Sequence, residues 1–374
     1  MKFGTSAART VAFASIESGS VSLGVVRIDG DATAVLASDH AELSLEARTP
    51  EQTIVGLKQL IAELGKKVLA KPEMLGQQKH IREFFCVLFA PWTSSRINRA
   101  AESYPNATHI TGTMIGLLEK KAASVSGNAP DLLQSNTVQI LLNGYPTAAP
   151  IGKRAQSLEA IVQISTCNPA MRAAMLEVAP TIVPGVTPPL YAGNAALMRT
   201  AAASEIEDVL VLHVSNEGSE ALVLRRGVPE KHAYLQIGAR SMVQKAMPNA
   251  APEETLATLR LIANDQCSPD ACTAVQQGFA SMEPDLVHTF GEFFSTTLGP
   301  ERLPHKIMLT VNPDLAPWLS GFFARIDFTQ CTDTSQPFEV ALLPLAPAGK
   351  AAAGQAVDPD FALALTLINK ETNK

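Results

Sequence analysis

Two related α/β lobes joined in one chain are what this sequence predicts, and three observations lead there. The first is a repeat. The segments VAFASIESGSVSLGVVRIDG, from Val11 to Gly30, and VLVLHVSNEGSEALVLRRG, from Val209 to Gly227, carry the same punctuation. In each, an apolar run stops at a short turn of Glu, Gly and Ser, an alternating strand returns, and a basic residue and Gly close the unit, the pattern of a β-hairpin. The second is length: 374 residues exceed one ordinary core and suit two to four packed subdomains. The third is composition, with 46% hydrophobic against 18% charged residues, which supplies a large interior.

The same numbers exclude some functions. A net charge of −6 and a pI near 5.7 argue against a polyanion-binding surface, so nucleic acid is not an expected partner. Apolar stretches are broken by Gly, Pro or charge within about ten residues, well short of the roughly 20 that span a bilayer. Lys2, Arg9 and the run Val11 to Ile16 mimic the start of a signal peptide, but the apolar part is short and flows into an alternating strand, so it is assigned as the first strand. Five cysteines, an odd number, fit a reducing cytoplasm, with Cys267 and Cys272 incidental or structural. That pair has no neighbouring His or third Cys to complete a tetrahedral site, so no metal is expected.

After the first hairpin, Ala34 to Leu45 reads as a third strand. Thr49, Pro50 and Gln52 open a helix on which Ile54, Leu57, Leu60, Ile61 and Leu64 recur at helical spacing before Gly65. From Ile81 the pattern changes to strand (IREFFCVLFAPW), polar connector (TSSRINRAAESYPNATH), helix (Thr111 to Ala123), and two strands (NTVQILLNGY and SLEAIVQIST). This module would bury one face of a three-stranded sheet under one helix, marginal alone and supported by its host. A helix, NPAMRAAMLEVAP, then starts with Asn at its cap and Pro next. Beyond the second hairpin come HAYLQIGARSMVQKA, a strand joined to a helix through Gly238, helices from about Ala251 to Leu298, the strand HKIMLTV, a turn at NPDLAPW into a helix, the strand FEVALLPL, and the apolar segment DPDFALALTLI. The domain boundaries that follow are 1–80 for the first lobe, 81–166 for the inserted subdomain, 167–205 for the return to the first lobe, 206–250 for the second lobe, 251–303 for its helical subdomain, 304–345 for its third-loop region, and 346–374 for a linker and C-terminal helix.

The order of hairpin, second hairpin near residue 210 and strand-turn-helix near residue 310 resembles the actin and Hsp70 ATPase superfamily. The inserted strand-helix-strand-strand unit, the phrase SGSVSLGVV, and the stretches VLFAPWTSSR and NGYPTAAPIGKRA are similar to the branch that holds the division protein FtsA and the pilus-assembly protein PilM. The likeness covers nearly the whole chain. It implies an α/β, actin/Hsp70-like two-lobed fold of duplicated ribonuclease H-like domains, with the phosphate loops in the two hairpins and an adenosine loop after the late strand.

Placed on this sequence, the resemblance puts the degenerate nucleotide loops at Ser15, Ser18, Gly19 and Ser20, at His213, Gly218 and Ser219, and at Asn312. The family's first loop begins with an Asp that positions magnesium; Ser15 stands there, and Glu17 replaces the small residue after it. Its second loop runs Asp, then Gly and Thr; here it runs His213, Val214, Ser215, Asn216, Glu217, Gly218, Ser219. Glu217 sets a negative side chain where phosphate should rest, which opposes an anion. Val311, Asn312, Pro313 and Asp314 replace the Gly-rich turn under the adenine.

The expected function is therefore a non-catalytic actin-like scaffold of cell division. It has no catalytic residues, and ATP and magnesium are not expected as cofactors. It would be cytoplasmic or peripheral at the inner face of the membrane. Its partner would be the division tubulin homologue or an envelope-machinery protein, with homo-oligomers or filaments as the family alternative. A PilM-like pilus or secretion assembly protein is the second reading. An active ATPase in which Asp29, Asp31 or Glu220 supplies the missing carboxylate is the third, and an unrelated two-domain α/β binding protein the fourth. The C-terminal DFALALTLINKETNK, an unbroken apolar block with few basic residues, reads as a helix docked on the protein rather than an interfacial anchor.

Overall fold

The computed structural model describes residues 8–30, 32–43, 48–124, 131–204, 206–299, 301–343 and 359–371. The first lobe begins with β1 (Arg9–Ile16), β2 (Ser20–Asp29), β3 (Ala32–Glu42), α1 (Pro50–Leu69) and β4 (Ile81–Leu88). The inserted unit follows as β5 (Thr93–His109), α2 (Gly112–Ser124), β6 (Leu132–Leu142), β7 (Tyr145–Pro146) and β8 (Arg154–Cys167). The chain returns through α3 (Pro169–Ile182), β9 (Leu190–Ala192) and α4 (Asn194–Ala202). The second lobe holds β10 (Val209–Val214), β11 (Ser219–Arg225), β12 (Val228–Leu235), α5 (Ala239–Ala246), α6 (Pro252–Ala263), α7 (Pro269–Glu292), β13 (Lys306–Val311), α8 (Ala316–Arg325) and β14 (Glu339–Leu342), and α9 (Pro359–Glu371) ends the described chain.

The duplication is visible in the sheets. The first has the order β3-β2-β1-β4-β9 and the second β12-β11-β10-β13-β14. In both, the first two pairings are antiparallel and the last two parallel. Alternation along each strand sends side chains to two different cores. Ala12, Ala14 and Ile16 of β1 join the layer under α1 and α3, while Val11 and Phe13 face the other lobe. Leu210, Leu212 and Val214 of β10 lie under α5, α7 and α8, and Val209 and Val211 face back. Between the two sheets sits a shared core of α4 and α9, with Phe361, Leu363, Ala364, Leu365, Leu367 and Ile368 all buried. A helix buried nearly all round belongs to an interior. It docks on the protein, as its sequence predicts, and occupies the space between the lobes.

Several local expectations are corrected. The run IREFFCVL is β4, parallel to β1 in the first lobe's sheet, so it is not the first strand of the insertion. Phe84, Cys86 and Leu88 face one core while Phe85 and Val87 face the other, and burial on both faces is what writes a continuous apolar run. The supposed polar connector is β5, 17 residues long and paired with β8. Its inner partner β8 supplies most of the apolar face, so β5 stays polar as an edge strand, and Pro105 falls within the register shift between Ser103 and Thr108. The inserted sheet thus has four strands, β5-β8-β6-β7, not three. Helix α1 passes through Gly65 to Leu69 because Gly65 faces Ile182 of α3, where a Cβ would come within 2.7 Å; the glycine permits close packing and does not end the helix. Cys267 and Cys272, read from the sequence as structural or incidental, form a disulfide with Cα atoms 5.8 Å apart. Among the described residues no helix is long and apolar enough to cross a membrane.

Candidate functional site: the interlobe hairpin turns

The turn after β1 (Glu17, Ser18, Gly19) and the turn after β10 (Ser215 to Gly218) meet across the lobes. Ser215 Oγ donates to Gly218 O at 3.0 Å, which leaves Ser18 Oγ, 3.0 Å from Ser215 Oγ, as donor to it. The Glu217 amide in turn donates to Ser18 Oγ at 3.0 Å. A backbone amide of the second turn, which the resemblance would set against a phosphate, is thereby taken by a serine of the first. The Glu217 carboxylate lies against two guanidinium groups, Arg48 from the segment before α1 and Arg240 at 3.1 Å from the first turn of α5. Burial and then the Arg240 charge hold the Arg48 guanidinium below its ordinary value. Glu217 therefore occupies the place of an anion as an intramolecular one, bound at its sides by both lobes.

Local structure fixes this latch. Helix α5 starts against the second turn: Ala239 and Arg240 amides donate to Ser215 O and Asn216 O, satisfying helix-end donors with turn carbonyls. Gly238 makes that approach feasible, since a Cβ there would lie 2.4 to 2.5 Å from Gly218 N, Asn216 O and Ser215 O. Gly238→Ala is expected to cost about 1–3 kcal/mol, toward the upper end because the clashing atoms are backbone, in urea unfolding. The cavity beside the turns, lined in part by Gly19, Glu42, Asn216 and Arg240, measures about 30 Å³. That is room for about one or two waters. The residues present do not fit a triphosphate, which would have to displace the Ser18 contact and approach the Glu217 carboxylate.

Behind the latch lies a buried polar layer. His213 Nε2 is 2.9 Å from Glu17 Oε1, both side chains almost fully buried, and the His213 ring packs on Phe89 with centroids 5.1 Å apart. Trp92 Nε1 donates to Glu17 O at 2.6 Å, and Ser20 Oγ to Glu17 Oε2 at 3.4 Å. Glu220 and His232 Nε2 pair at 2.6 Å, with the other ring nitrogen 3.1 Å from Ser95 O of the inserted sheet. Burial pushes Glu220 up, but the His232 hydrogen bond and charge pull it below its ordinary value. Burial pushes His232 down, and the Glu220 hydrogen bond and charge raise it above. Burial and then the Glu220 and Glu17 charges push Tyr234 up to about 12.

The structure brings Ser15, Ser18, Gly19, Ser20, His213, Gly218 and Ser219 to one interlobe region, though by different roles. Ser15 Oγ donates to Asp360 O at 3.2 Å, Leu43 donates to Gly19 O at 2.8 Å, and Ser219 Oγ donates to Ile237 O at 2.6 Å. Gly218 leaves room for the Tyr234 hydroxyl. Asn312 follows Val311, whose register partner is Val214, so it leaves its strand beside Ser215; its side chain accepts from the Asp314 amide and its carbonyl from the Leu315 and Ala316 amides. Asp29 lies at the end of β2 remote from the turn, so it is not placed to replace a cleft carboxylate; Asp31 is outside the described residues. Arg48, Arg240, His232 and Asp360 were not singled out by sequence. Only Arg240, two residues beyond Gly238 at a helix start, carried a local signal.

No family model and no curated protein matches the chain. Solved structures do. A PilM-PilN type IV pilus biogenesis complex is similar over 98% of both chains, at 16% identity and a TM-score of 0.54. The ethanolamine utilization protein EutJ of Carboxydothermus hydrogenoformans is similar over 91% of this chain and 86% of its own, at 11% identity and a TM-score of 0.37. Component A of the Acidaminococcus fermentans (R)-2-hydroxyglutaryl-CoA dehydratase is similar over 98% and 100%, at 7% identity and a TM-score of 0.39. With two sheets of one topology around a shared core, the chain has the actin-like ATPase fold.

Proposed function

We infer that this chain is a non-catalytic assembly protein, an actin-like scaffold that has given up productive ATP use and acts through protein contacts. The observation that carries this is the latch: Ser18, Ser215 and Glu217 satisfy one another across the place where phosphate would lie, and Arg48 and Arg240 neutralise Glu217 there. Phosphoryl transfer depends on positioned metal and on donors aimed at developing charge, and it offers little covalent chemistry for other residues to supply. Ser15 and His213 stand where the resemblance expects carboxylates. Calorimetry with magnesium ATP is expected to give at most millimolar affinity, about −4 kcal/mol. A micromolar dissociation constant, or measurable turnover, would overturn the assignment in favour of an active ATPase.

For the partner, the full-length likeness to a PilM-PilN complex supports a PilM-type role in envelope assembly, at the inner face of the membrane. The FtsA-type division scaffold is the second reading, and pull-downs against the division tubulin homologue separate the two. In either case the inserted sheet is the contact module. It joins its host at neighbouring points, since the Asn168 amide donates to Trp92 O at 2.8 Å, so residues 93–167 can be replaced by a short linker. The shortened protein is expected to stay folded and to associate more weakly in light scattering or pull-down; unchanged association would count against a contact role.

A further inference from the structure

We propose that Glu17, His213 and Asp360 form a divalent-cation site, of the zinc or manganese class, that ties both lobes to the C-terminal helix. The three residues come from the turn after β1, the end of β10 and the first turn of α9, and their donor atoms all lie within 4.8 Å of one another. None of these elements is adjacent in sequence, so the cluster is made only by the fold.

His213 supplies the independent pointer. It is 2% exposed, yet neither ring nitrogen makes a hydrogen bond among the described residues, and the Glu17 oxygen 2.9 Å from Nε2 is close without being aligned as an acceptor. A buried imidazole with no aligned partner is uncommon and calls for an ion or another group. The surroundings hold the donors in place as outer partners of a metal site do. Phe89 packs on the imidazole, Trp92 binds the Glu17 carbonyl, Ser20 donates to Glu17 Oε2, and Ser15 binds the Asp360 carbonyl.

The donor set defines the ion. One imidazole favours zinc and other borderline ions over magnesium, and two carboxylates favour oxygen-seeking ions such as manganese over copper. Two carboxylates also balance a dication. Metal–ligand distances of about 2.0–2.2 Å place neighbouring donors about 3–4 Å apart. Asp360 is less buried than the other two. The site is built from side chains alone, so it needs no nucleotide and stands whether or not the assembly assignment holds.

The test uses the full chain, stripped with a chelator and titrated with zinc, manganese and, as control, magnesium chloride. Metal retained after desalting and the shift in Tm are read for the native protein and for Glu17→Gln, Asp360→Asn and the pair Cys267→Ser with Cys272→Ser. The expected result is about one equivalent of zinc or manganese retained, and a Tm that rises and saturates at that ratio, with magnesium inert. Each carboxylate variant should lower affinity at least about tenfold, and the cysteine variant should leave it unchanged. Both carboxylate variants keep side-chain volume, and Asp360→Asn alters a half-buried position, so loss of the fold does not obscure the readout. Absence of retained metal in the native protein, binding equal in the variants, or loss in only one carboxylate variant would each overturn the three-ligand site.

Discussion

Glu220→Ala is expected to destabilise the protein by about 3–5 kcal/mol, the cost of removing one partner from a buried charge pair. Glu220 and His232 are both almost fully buried and 2.6 Å apart, and Glu220 also has the Ala90 amide and the nearby His213 ring in its field. The effect should depend on pH. The depressed Glu220 contributes stability that is present above its unfolded value of 4.5 and lost as pH falls through its folded one. The raised His232 contributes stability that is present below 6.5 and lost as pH rises through its folded value. The pair therefore stabilises most between those two values, and urea unfolding should show a larger penalty for Glu220→Ala at about pH 6 than at about pH 9. A variant within about 0.5 kcal/mol of the native protein at both would show the pair to be structurally idle.

Phe361→Ala is expected to cost about 3–5 kcal/mol. Its ring is 1% exposed, 4.5 Å from that of Phe13, and lies over Gly24 so closely that a Cβ there would come within 2.2 Å. No smaller side chain fills that space, and β1, β2 and α9 would share the cavity. The loss would be read as a lowered midpoint in chemical unfolding with unchanged slope. A change under about 1 kcal/mol would mean that α9 does not hold the two lobes together as described.

What sequence could and could not disclose follows from how far each feature depends on distant residues. The hairpins at Val11–Gly30 and Val209–Gly227 were legible because turn residues and alternation are local, and their matched sheets make the duplication plain. Helices α1 and α3 announced themselves by their caps: Thr49 with Gln52, and Asn168 with Pro169. Strand β5 was hidden because an edge strand with an apolar inner neighbour needs few apolar residues of its own. Strand β9 and helix α4 were hidden by prolines before them and by an Ala-rich stretch too short for a clear period. At the site, Glu217 was visible as a departure from the loops that the resemblance implies, and Ser18 as a position of the first of them. The arginines that make Glu217 an internal anion were not, since Arg48 lies 169 residues away and no local pattern marks it.

Amide hydrogen exchange at the two turns, with and without millimolar magnesium ATP, tests the latched cleft most directly. The Glu217 amide donates to Ser18 and the Ser215 amide to Gly218 O, so both should exchange slowly in the free protein and at the same rate when nucleotide is added. Rapid exchange at residues 215–218 in the free protein, becoming slow only on addition of magnesium ATP, would contradict the account and identify an open site that nucleotide closes.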